Sequence, residues 1–144
     1  MSQTRQVVPF RRWHIAWLVG AGKPESGFMP LDVETLMALE KQNSWTAVID
    51  GSPVACGGTI QHWPGRHQGW MYLNKASGKH MRWLTSMVFN KLNKIEGRLE
   101  ISVRCDFALG HKWAKMLGFR VETERMERFG PEGEDHTGYV RTTR

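Results

Sequence analysis

Cysteine is scarce in this chain of 144 residues, which has only Cys56 and Cys105. No C-x-x-C pair or Cys/His pairing at zinc-ligand spacing accompanies them, so neither a disulfide scaffold nor a metal site is indicated, and buried free thiols are expected. Tyrosine is equally rare, at two residues. No apolar run approaches the roughly 20 residues that cross a membrane. Internal repeats, low-complexity tracts and blocks of five like charges are missing too, which argues against a solenoid, a linker or a basic tail. The start, Met1-Ser2-Gln3-Thr4-Arg5, lacks the apolar stretch of a signal peptide, so the expected place is the cytoplasm or a particle assembled there.

What is plentiful is indole and positive charge. Seven Trp stand beside the two Tyr, and 20 Lys+Arg against 14 Asp+Glu leave a net charge of +6. That charge fits a nucleic-acid surface, a pocket for an anionic cofactor, or a solvated surface without a role. A length of this order suits one domain with one core, so residues 1–144 are read as a single domain.

The periodicities order the elements. Gln6–Val8 is a short extended start, and Trp13, Ile15, Trp17 and Leu18 suggest one helix face, with a strand as the alternative. A loop rich in Gly and Pro leads to Asp32, an N-cap for a helix reaching about Gln42. Trp45–Ile49 and Pro53–Ile60 flank the turn pair Asp50-Gly51 as a hairpin, and Gly69–Leu73 forms a third strand. From Ser77 to Ile95 the stripe Met81, Leu84, Val88, Leu92, Ile95 predicts a helix packed on a sheet. Leu99–Arg104 alternates as a half-buried strand, Leu109–Leu117 is a helix stopped by Gly118, and Phe119–Thr123 and His136–Thr142 close the chain as strands. The fold class is α+β, a mixed central sheet flanked by helices in the order β-α-α-β-β-β-α-β-α-β-β.

One junction concentrates chemistry: strand, then Asn74-Lys75-Ala76-Ser77-Gly78-Lys79-His80, then the long helix. A helix N-terminus offers unpaired N–H groups and partial positive charge, and small residues let a phosphate approach. Lys75, Lys79 and Arg82 add charge where an isolated helix has reason to avoid it. The bland alternative is an ordinary Ser77 N-cap among solvated lysines.

The element order, the loop Lys75 to His80 and the phrase His111-Lys112-Trp113-Ala114-Lys115-Met116-Leu117-Gly118-Phe119 together resemble the GNAT superfamily of N-acetyltransferases, over about residues 45–123. The organisation is also similar to GNAT-fold proteins of bacteriophages, including internal virion proteins. The resemblance implies a GNAT-like single domain that binds acetyl-CoA between two parallel strands. Met71 and Leu73 would pair with pantetheine, the amides of Ser77, Gly78, Lys79, His80 and Met81 would face the pyrophosphate, and Lys75, Lys79 and Arg82 would contact phosphates. An unidentified amine would be the acceptor. No specific nucleic acid and no membrane is expected as partner, and a second copy of the chain or virion proteins stay open.

Two positions depart from the family pattern. His80 stands where Gly or Ala is usual, and Ala114 replaces the tyrosine that protonates the leaving thiolate. Candidates for the base are Glu100 and Asp106, and for a substitute acid Tyr72, Tyr139 and Cys105. His111 and His136 are expected at the surface, and the carboxylates of Gly130–His136 either attract a cationic acceptor or simply solvate a turn. The alternative to an acetyltransferase is a catalytically degenerate phage protein acting as a virion or host-interaction component.

Overall fold

The structure is a computed structural model that describes residues 3–20 and 32–143; the Gly/Pro loop expected after Val19 falls mostly outside them. Its elements are β1 (Arg5–Pro9), α1 (His14–Gly20), α2 (Val33–Glu40), β2 (Asn43–Ile49), β3 (Ser52–Trp63), β4 (Arg66–Leu73), a 3-10 turn (Lys75–His80), α3 (Met81–Leu92), β5 (Arg98–Arg104), α4 (Ala108–Met116), β6 (Arg120–Met126) and β7 (His136–Thr142). The strands form a seven-stranded sheet in the order β1-β2-β3-β4-β5-β7-β6. It is mixed: β4 pairs with β5 in parallel, and the β1–β2, β2–β3, β5–β7 and β6–β7 pairings are antiparallel.

Contacts gather into two compact units. The first holds β1, α1, α2, β2, most of β3, and Trp70 to Arg82. Its hairpin turns on Asp50 (φ 49°) and Gly51 (φ 84°), the two positive φ values a type I′ turn requires. Asp32 caps α2 by accepting from the Thr35 amide at 2.8 Å, which holds its carboxyl below the usual range. Phe10, Ile15, Leu18, Leu36, Leu39, Ala55 and Trp70 build the core, with Phe10 edge-on to Trp70 at 5.2 Å. Gly57 is obligatory there, because a Cβ would lie 2.9 Å from both the Trp45 ring and the Trp70 carbonyl. The α1 face differs from the expected one: Ile15 and Leu18 are buried, but Trp13 and Trp17 are more than half exposed. The inner position belongs instead to His14, whose Nδ1 accepts from the Arg11 amide at 3.0 Å and lies 2.7 Å from the Thr46 hydroxyl.

The second unit holds the β3–β4 hairpin tip and the chain from Trp83 onward. Leu84 and Val88 of α3, Leu99 of β5, Ala114 and Leu117 of the α4 segment, Phe119, and Tyr139 and Val140 of β7 form its core. Burying such side chains is worth about 1.5–3 kcal/mol each for the large ones. The end of α4 is a Schellman motif: the Gly118 amide donates to the Lys115 carbonyl at 3.1 Å and the Phe119 amide to the Ala114 carbonyl at 3.0 Å. Gly118 sits at φ 90°, where a side chain is strained.

Candidate active site

The turn after β4 belongs to the first unit and differs from the expected helix start. Residues 75–80 are 3-10 rather than α-helical, and Ser77 is no N-cap. Its hydroxyl donates to the Asn74 carbonyl at 2.7 Å and its amide to the same oxygen at 3.1 Å. Two donors on one carbonyl tighten the chain to i→i+3 spacing, and they remove the Ser77 amide from the set expected to face a pyrophosphate. Gly78, Lys79 and Arg82 are exposed, while the Lys75 side chain lies outside the described ones. Lys79 and Arg82 have no carboxylate partner among the described residues. A Cβ on Gly78 would meet no atom within 4 Å. His80 is buried, so its ring leaves the outer side of the turn clear. Its Nδ1 and the Oδ1 of Asn74 are buried without a hydrogen-bond partner. Leu73 is buried and Met71 half-buried at the end of β4.

The junction after β5 belongs to the second unit. In the β5–β7 register Ile101 faces Tyr139, so the phenol shares a sheet face with Ile101 and Val103. The α4 helix packs on that face, since a Cβ on Gly110 would meet Val103 Cγ1 at 2.8 Å. His111 thereby meets Tyr139: its Nδ1 lies 2.6 Å from the Tyr139 hydroxyl. Its Nε2 lies 2.9 Å from the Arg104 carbonyl and 3.2 Å from that of Cys105. Tyr139 is buried, and burial, followed by the charge of Cys105, pushes its hydroxyl above the ordinary phenol range. His111 is therefore half-buried and bonded at both nitrogens, not the surface histidine expected.

His136 likewise departs from expectation. It is fully buried, with Nε2 3.2 Å from Glu134 Oε1 and the Phe129 ring 5.3 Å away. The acidic cluster is spent on its own loop: Glu134 accepts from the Glu132 amide, and Asp135 from the Arg128 amide and the Arg125 guanidinium. The Arg128 amide, then Arg125, holds the Asp135 carboxyl below its usual range, and Glu134's own amide, then His136, does the same for Glu134.

The two carboxylates expected as bases sit in different surroundings. Glu100 accepts from Arg66 Nε at 2.9 Å and Nη2 at 3.0 Å, and from Arg98 Nε at 2.8 Å. The Arg66 bonds above all, then those of Arg98, keep it ionised and well supplied with donors. Arg98 extends the chain to Glu122. Asp106 is largely exposed and pairs with Arg104 at 3.2 Å. Of the thiols, Cys56 is buried and inert, its pKa driven up by burial, whereas Cys105 is half-buried beside the Thr137 hydroxyl. Trp45 and Trp70 are core, and the half-buried Trp113 donates its indole N–H to Thr85 at 2.7 Å, which accounts for part of the indole surplus.

No family model and no curated relative matches the sequence. Solved structures do match in shape. The ribosomal-protein-S18-alanine N-acetyltransferase of Escherichia coli superposes with a TM-score of 0.74 at 15% identity, over 98% of this chain and 96% of that one. The acetyltransferase of the GNAT family from Streptococcus pneumoniae gives 0.66 at 13%, over 97% and 100%. The yncA protein of Salmonella typhimurium, solved with its cofactor acetyl-CoA, gives 0.70 at 12%, over 96% and 94%. The fold is that of the GNAT acetyltransferases. Within this GNAT fold, Ala114 is buried and its carbonyl is engaged by Phe119, so the position expected of a tyrosine offers no hydroxyl. The His111–Tyr139 pair is what the sequence reading did not assemble. Its members are 28 residues apart, and only the strand register and the helix packing bring them together. Among the described residues no helix is long and apolar enough to cross a membrane.

Proposed function

We propose that the chain, acting as one domain of residues 1–144, is an acetyl-CoA-dependent N-acyltransferase that acetylates an amine. The observation that carries the reading is the turn after β4, where Lys79 and Arg82 are exposed, without a carboxylate partner among the described residues, beside a glycine whose outer side is open. Unpaired cations at the head of a helix repel its dipole, and a bound anion relieves that cost. Lys75, Lys79 and Arg82 would hold the phosphates beside Gly78, since the 3-10 turn spends its own amides on i→i−3 bonds, and Met71 and Leu73 would hold the pantetheine.

When bound, acetyl-CoA supplies the acyl group as a thioester. The protein's share is to free the amine of its proton, stabilise charge and return a proton to sulfur. We assign the last role to Tyr139, the buried phenol at the junction after β5. For the base, Asp106 is the better candidate, because it is largely exposed and pairs with one guanidinium, whereas Glu100 is held by two that lower its proton affinity. Calorimetric titration with acetyl-CoA tests the reading: binding is expected, and no binding at millimolar cofactor would overturn it.

A second reading rests on Ala114. A GNAT-fold protein that has lost transfer and serves as a virion or host-interaction component would lack the tyrosine there. Cofactor binding without acetylation of any amine in a broad panel would favour it.

A further inference from the structure

The bonds around His111 leave its neutral ring only one tautomer. Both partners of Nε2 are carbonyl oxygens, which accept and never donate, so Nε2 carries the hydrogen. In the neutral ring Nδ1 is then a bare lone pair, and the Tyr139 hydroxyl 2.6 Å away must donate to it. A phenol has one proton, so in this state none is left for another acceptor. When the ring gains a proton, Nδ1–H becomes the donor, the Tyr139 oxygen accepts, and the phenolic O–H is released to point elsewhere.

We propose that His111 is a positioning residue that sets where Tyr139 donates: to Nδ1 when the imidazole is neutral, and to another acceptor when it is charged. This rests on the acyltransferase reading and on Tyr139 as its acid. In the charged state the balance is complete. The amine nitrogen bonds the acyl carbon as the carbon–sulfur bond breaks, and sulfur keeps the electron pair and takes the Tyr139 proton. The phenol oxygen takes the Nδ1 proton, His111 recovers one from solvent, and the amine's own proton leaves through the base to solvent. From β5 Ile101, and from β6 Val121, stand in register with Tyr139 and are apolar. Cys105 acts electrostatically on the phenol, Arg125 of β6 acts on Cys105 and is held by Asp135, Asp106 is paired with Arg104, and Lys112 of α4 is exposed.

Two measurements test this. In the wild type, kcat is expected to fall about tenfold or more as rising pH removes the proton from His111, while amine deprotonation works in the opposite direction. His111→Asn should abolish that falling limb and leave acetyl-CoA affinity within about twofold. An unchanged limb in His111→Asn, with the variant folded by circular dichroism, would overturn the proposal. Nitrogen-15 NMR of the His111 ring gives a readout that needs no turnover. A neutral ring protonated at Nε2, with its Nδ1 shift altered in Tyr139→Phe, is the expected result; a neutral ring protonated at Nδ1 overturns it. Failure of acetyl-CoA to bind would instead remove the acyltransferase reading and leave the tautomer result standing.

Discussion

The turn after β4 and the junction after β5 are two ways of preparing chemistry. At the first, Lys79 and Arg82 stand exposed without a carboxylate partner, and buried polar atoms lack hydrogen bonds, among the described residues. At the second, each nitrogen of His111 is bonded and the phenol it touches is buried. On the reading proposed above, the first gains when an anion pairs its cations. The second is complete in itself and changes only when a proton does. Binding and proton transfer are thus separable in this chain, and variants at one place should spare the other.

The largest effects should come from crossing the two. Gly78→Asp meets no steric obstacle in the protein, so it should fold normally while weakening acetyl-CoA binding by about 100-fold or more through lost space and added negative charge. Tyr139→Phe should do the reverse, cutting kcat by roughly 10²–10⁴-fold with affinity nearly unchanged. Calorimetry and steady-state kinetics on both variants would expose any mixing of the roles. If Tyr139→Phe lost affinity as severely as Gly78→Asp, the separation would collapse.

Smaller effects separate scaffold from site. Gly118→Ala forces a side chain onto φ 90° and should cost about 1–2 kcal/mol by denaturant unfolding, with acetyl-CoA affinity untouched. Smaller still is a pH effect on stability. Burial first, then the Arg11 charge, lowers the pKa of His14 in the folded state, against a weaker opposing pull from Glu40. The unfolded chain therefore binds the proton more readily, so stability is held above about pH 6.5 and declines as pH falls from there toward the folded value. Thermal melts of the wild type should show that decline, and a His14→Gln variant should flatten it. Lys79→Ala is expected to have the least effect, a few-fold loss of acetyl-CoA affinity that shrinks as salt is raised.

The element order was legible because local chemistry and tertiary structure agree. Asp50-Gly51 supplies the positive φ values its turn needs, Asp32 its cap, and Gly118 its helix stop. The start of α3 was not legible, because Ser77 spends both hydroxyl and amide on Asn74, a choice that the apolar stripe does not record. Nor did the Trp13–Leu18 pattern reveal that a histidine takes the inner position of α1. His14 is kept there by the Arg11 amide and by Thr46, 32 residues away. In the candidate site the cationic turn could be read from consecutive residues. The His111–Tyr139 pair could not, since it depends on a register between strands and on the seat of a helix.

Gly78 has an ordinary backbone and empty space on its outer side, so the folded chain alone gives no reason for a glycine there. Side chains of increasing size at Gly78 should therefore leave folding unchanged, and the size at which acetyl-CoA affinity first falls would measure, from the protein's side, how closely the proposed cofactor approaches.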